Sequence, residues 1–311
     1  MEALTDPTHL HLLLNHFPTI GFMIGLALFV VSIIANSDDL KRASLVIFAG
    51  IALIAIPTYV TGNAAQSRIA DLPEVSQALI ETHEGLAFLA LIFIELTGAV
   101  SWVALWKHRR TRRVQPATAG LILLLALVTM GVSARTANIG GEIRHSEIQS
   151  AVQPTSPVGA LGRTVGNYVR DTPWSWIACE TLHFIGLSLL LGVIGMVDLR
   201  MVGMMKGVSF AALDRLLPWG MLGLGLNVAT GMLFFAAAPG QYTANPAFYW
   251  KLVFLLIAGA NTLYFSFDAT WTLRPDDEAP GLSKAVASAA LFFWAGVMFW
   301  GAMLPFIGNA F

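Results

Sequence analysis

The residues of this chain best suited to chemistry are its seven histidines, and they are unevenly placed. His11 and His16 lie in the stretch His-Leu-Leu-Leu-Asn-His-Phe-Pro, at the mouth of the first long apolar segment. His83 stands near the start of the third such segment, His145 follows the fourth, and His183 lies in the fifth. An ionisable side chain beside hydrocarbon is costly, so each is a candidate functional residue. Neutral imidazole offers a metal a lone pair, and two imidazoles on facing helices form the axial set of a b-type haem. The same nitrogens suit copper and other transition metals. Five residues at about 100° each put His11 and His16 roughly 140° apart on a helix, so the two rings face different neighbours. The plainer alternative is that these rings cap helix ends at the headgroup level.

The elements that must position them are membrane helices. Of 311 residues, 56% are hydrophobic and 12% charged, with a mean hydropathy of +0.68. Soluble domains carry about 25% charged residues, so the sequence predicts an all-α integral membrane protein. Eight segments reach the roughly 20 apolar residues that span a bilayer. They run over 10–35, 43–62, 80–106, 117–135, 174–198, 216–237, 247–270 and 284–306. A net charge of −1 and the lack of a basic patch speak against nucleic acid. The one cysteine, Cys179, excludes an intrachain disulfide, a cysteine-ligated iron–sulfur cluster and covalent c-type haem. The acidic start, Met-Glu-Ala-Leu-Thr-Asp-Pro, does not read as a cleavable signal peptide.

Basic residues orient the chain. The connections after segments 1, 3, 5 and 7 hold 12 of the 18 Lys and Arg, the run Lys107–Arg113 foremost. The positive-inside rule then puts both termini outside the cytoplasm, in a bacterial inner membrane. The Pro-, Ser- and Gly-rich connection 136–172 divides the chain. The expected modules are residues 1–150 and 173–311, four helices each, joined by a periplasmic linker at 151–172. Six histidines fall in the first half and one in the second, and no convincing repeat relates the halves. Two fused modules are therefore expected rather than a duplicated one.

In this orientation every histidine except His108 lies at the outer face, and a haem b site is expected there. Ala87 and Gly186, below His83 and His183 on their helix faces, are candidate slot residues. Arg68, Arg135 and Arg144 stand at the level where guanidinium could pair with haem propionates. Mid-segment Glu95 reads as a protonated carboxyl bonding a neighbouring helix or as a proton relay, and Asn227 and Asn261 as interhelical polar residues.

His11-Leu-Leu-Leu-Asn-His16-Phe17-Pro18, Thr82-His83-Glu84-Gly85 and Thr136 to Gly140-Gly141-Glu142-Ile-Arg-His145 resemble an uncharacterised bacterial four-helix membrane domain. Its pattern is HP-x-x-x-HFP, a third-helix His and a terminal GG-x-x-x-H, with haem binding like that of b561-type cytochromes implied. Leu12 departs from the proline of that pattern. The second half, with Cys179-Glu180-Thr-Leu-His183-Phe-Ile-Gly186 and Asp198-Leu-Arg200, resembles a second uncharacterised membrane family. Depth along the segments pairs His16 with His83, and His11 with His145 as a possible second set. His183, lacking an obvious partner, could ligate across the interface, pair with Glu180 or hold a quinone head group. The expected function is a b-type cytochrome subunit, with one or two haems, passing electrons between membrane quinone or quinol and a periplasmic redox protein or enzyme subunit. A transporter using Glu95, Asn227 and Asn261 is an alternative, as is a haem-free anchor for a periplasmic enzyme.

Overall fold

Helix starts set the architecture. A computed structural model describes residues 6–70, 72, 75–144, 159–265, 273 and 277–307, with the backbone alone for Arg144. Asp6 opens α1 (Pro7–Leu14) by accepting from Thr8 N at 2.9 Å. That N–H, with the Arg68 guanidinium, holds the Asp6 carboxyl below its usual range. A π-helical turn, Phe17–Gly21, then leads into α2 (Phe22–Ile34). Ser37 caps α3 (Asp38–Ile69) and Ser76 caps α4 (Gln77–Thr111), each through its hydroxyl oxygen. Pro116 begins α5 (Pro116–Arg144), where its missing N–H costs nothing.

The chain continues through α6 (Leu161–Asp171), α7 (Pro173–Val202), α8 (Phe210–Asp214), α9 (Leu217–Ala237), α10 (Pro239–Thr243), α11 (Pro246–Tyr264) and α12 (Gly281–Met303). Among the described residues eight helices are long and apolar enough to cross a membrane, and no strand occurs. This is an all-α multi-pass membrane protein whose apolar helix faces meet lipid. Two helices outrun the expected segments furthest: α3 runs to Ile69 and α5 to Arg144. The connection between the halves also contains a helix, α6.

The chain divides into two compact units, Met1–Asn167 and Tyr168–Phe311. In the first, α1 and α2 pack on α3, α3 on α4, α4 on α5, and α5 back on α2. The first and third spans are therefore diagonal. Lipid tails are as apolar as leucine, so close packing and polar contacts hold such helices together. Phe22 and Phe29 close on Phe48 at 4.8 and 6.0 Å between ring centroids. Gly98 abuts Ala52 where α4 crosses α3. Thr97 and Thr129 join α4 to α5 through their hydroxyls at 3.0 Å.

In the second unit α7 packs on α9 and α12, and α11 on α12. Buried Asn245 caps α11 and donates to Leu304 O at 2.9 Å, tying the start of the seventh span to the end of the eighth. At the opposite end, fully buried Arg200 donates to Val208 O and Asp277 O and lies 4.1 Å over the Phe210 ring. Glu278 sits between Lys206 and Lys284, at 3.0 and 2.7 Å, and their ammonium groups pull its carboxyl down to about 2.

Candidate functional site

The site begins with a carbonyl. His11 on α1 places Nδ1 3.0 Å from Thr58 O on α3. A carbonyl only accepts, so Nδ1 carries the proton and donates it. Nε2 is left with its lone pair bare. One turn beyond Thr58, Gly62 lies under the ring: a Cβ there would come within 2.8 Å of His11 Cε1. Only a residue without a side chain lets the imidazole lie against the helix.

His83 on α4 repeats this arrangement. Its Nδ1 donates to Thr136 O on α5 at 3.0 Å, and Gly140, again one turn on, lies 3.0 Å (as a built Cβ) from His83 Cε1. The sequence echo is Thr58-Tyr-Val-Thr-Gly62 and Thr136-Ala-Asn-Ile-Gly140. In both places the threonine hydroxyl donates back to the carbonyl four residues earlier, at 2.8 and 2.9 Å. His11 and His83 stand on diagonal helices of one four-helix unit, close enough for their charges to interact. Two tethered imidazoles with bare Nε2 atoms and glycine at their backs are the donor set a bis-imidazole haem requires, so these residues fit the group. Among the described residues no three His, Cys, Asp or Glu side chains gather as a metal site.

Depth along the segments pairs His16 with His83, but the ring that lies against α3 is that of His11. His16 is exposed, and its Nδ1 bonds Leu12 O of its own helix at 2.9 Å. The 140° between the rings sends His11 toward α3 and His16 outward. His9 is exposed as well, 3.6 Å from Asp6. His145 lies outside the described residues, so its pairing with His11 has no geometry here. His108, at the other end of α4 from His83, is buried.

Of the three candidate arginines, the side chains of two are described. Arg68 pairs with Asp6 at 2.9 Å, and Arg135 is exposed. The Arg144 side chain lies outside the description. Ala87 is half-buried one turn below His83. Gly186, a candidate slot residue, lies at a helix crossing: a Cβ there would meet Asn227 Nδ2 at 2.6 Å and Gly223 O at 2.9 Å. Because one neighbour is backbone, Gly186→Ala is expected to cost about 1–3 kcal/mol through forced separation of α7 and α9. A lowered thermal unfolding temperature of the purified variant checks this. An unchanged one would show that the crossing is loose.

No family model, curated protein or solved structure matches the chain. The site must therefore be read from its own chemistry. Sequence reasoning missed Thr58, Gly62 and Lys251. The signal for the first two was the recurring Thr-x-x-x-Gly near the end of an even-numbered span. Glu95 has no hydrogen-bond partner at Oε1, so it does not tether a neighbouring helix through that atom. Thr129 does that work through its hydroxyl contact with Thr97 at 3.0 Å. Asn227 donates to Gly223 O of its own helix at 2.9 Å, and Asn261 Nδ2 has no partner.

Proposed function

We propose that this protein is a b-type cytochrome subunit of the bacterial inner membrane, with one haem b held by His11 and His83. The reading rests on a single observation: two imidazoles on diagonal helices, each fixed through Nδ1 to a carbonyl and each lying on a glycine. Bound haem would supply one-electron chemistry. The chain's own contribution is to hold both ring planes, keep each Nε2 unprotonated and exclude water with apolar walls. Membrane quinol as donor and a periplasmic redox protein as acceptor follow from the site's level, near the start of the odd spans and far from the Lys107–Arg113 run.

An optical spectrum of the purified protein tests the cofactor. A Soret band and a sharp reduced α-band, with one haem per chain by pyridine haemochrome, are the expected result; neither band in haem-replete cells defeats the reading. Orientation is tested separately. Reporter fusions after Arg113 should signal a cytoplasmic site, and fusions after Phe311 a periplasmic one. The opposite pair would put the histidines on the cytoplasmic face.

A further inference from the structure

The device built by His11 and His83 occurs a third time, in the second unit, in altered form. His183 on α7 sets Nδ1 2.8 Å from Thr230 Oγ1 on α9. His11 and Thr58 are 47 residues apart, and so are His183 and Thr230. Thr230, like Thr58 and Thr136, donates its hydroxyl proton to the carbonyl four residues earlier, here Leu226 O at 2.6 Å. Its oxygen therefore accepts from His183 Nδ1–H, and once more Nε2 is bare.

The position one turn beyond the threonine, glycine in the first unit, is Phe234 here. Its ring stands 5.8 Å from the imidazole at 65°. With that bulk in place the ring is held at the hydroxyl rather than at the carbonyl. The place of the second histidine is taken by Lys251, near the start of the next odd span on α11. Lys251 lies along Gly301 of α12, with Nζ 3.6 Å from a Cβ built there. Its charge is felt at His183, and among the described residues no carboxylate or carbonyl partner of Lys251 is seen. The halves that looked unrelated in sequence thus share one plan, in which a basic side chain on each odd span reaches the even span that follows.

We propose that the His183–Thr230–Lys251 site binds the head group of a lipid-soluble quinone. The site offers one acceptor, His183 Nε2, and one cationic donor, Lys251 Nζ. A quinol hydroxyl donates to the first, and a quinone carbonyl accepts from the second. Phe234 and Trp176, 4.9 Å apart between ring centroids, add flat apolar surface beside the imidazole. A planar head group with oxygen at its edge uses all of these, whereas a simple anion would leave the bare Nε2 unused. Below the aromatic cluster of Phe235, Tyr242 and Phe248, α9 and α11 make next to no contact, and a lipid-borne molecule needs such a seam. The proposal names a site for the quinone invoked above and rests on that reading for its biological sense, but not for its geometry.

The test measures saturable binding of decylubiquinone and of its reduced form to the purified full-length protein in neutral detergent. Lys251→Met should weaken the oxidised form about tenfold or more and the reduced form much less; His183→Gln should do the reverse. A purely structural role would move both forms together. Removing a half-buried cation that forms no ion pair is not expected to unfold the protein, and His183→Gln serves as a second variant should Lys251→Met fail to fold. His83→Ala, which removes a proposed haem ligand, should leave both affinities unchanged. Binding unaffected by either second-unit variant, or weakened equally for both redox forms, overturns this site while leaving the haem reading intact. Form-selective binding in a protein without haem bands would do the opposite.

Discussion

Replacing His11 or His83 with alanine is expected to strip the protein of haem, while His16→Ala leaves its haem content unchanged. Removing either imidazole would leave the proposed haem with one protein ligand, so retained haem should fall below about a tenth of the wild-type amount. The exposed ring of His16, bonded to Leu12 O, has no part in the pair. Membrane insertion depends on the apolar spans rather than on these rings, so all three variants should appear in the membrane at similar levels. Pyridine haemochrome content per mole of purified protein gives the answer. Full haem in His11→Ala with loss in His16→Ala would restore the pairing that depth alone suggested and sink the one drawn from the fold.

The second large effect lies behind the rings. Gly62→Val and Gly140→Val should lower haem affinity about ten- to a hundredfold, as loss of a partner behind a metal ligand does. A Cβ at Gly62 would stand 2.8 Å from His11 Cε1 and 3.1 Å from Nδ1. The ring must then swing away and lose Thr58 O. At Gly140 the clearances to His83 are 3.0 and 3.3 Å, so valine there should act in the same direction and somewhat less strongly. Gly141→Val is the control, because nothing lies within 4 Å of a Cβ at Gly141. Haem titration of the apoprotein measures all three. Equal affinities for the Gly62 and Gly141 variants would mean that the glycine has no role in seating the imidazole.

These expectations show how far the sequence reaches. Composition and segment length alone determined an all-α membrane protein with eight spans, because hydrocarbon imposes a minimum apolar length and leaves backbone polar groups no partners outside a helix. The histidines were also legible as candidates, since charge beside lipid is costly wherever it stands. Helical geometry determined even that His11 and His16 must face apart.

Which of the two turns inward was decided by tertiary structure. That choice depends on where α1 settles against α3, and apolar side chains of α1 can meet lipid or protein at little difference in free energy. The partner carbonyls lay beyond the sequence for a related reason. Thr136 and Gly140 sit where α5 runs on past the apolar segment, among polar residues such as Arg135 and Asn138 that hydropathy assigns to a loop. Gly62 falls at the matching edge of α3, just before Asn63, Gln66 and Ser67. The likeness between the polar contacts of the two units was not visible either. It lies in a few polar positions, His183 with Thr230 and Lys251 along Gly301, set among apolar residues whose pattern marks only a span. Sequence determined which side chains could do chemistry at a membrane; only packing decided which backbone each one leans on, and so which nitrogen is left free.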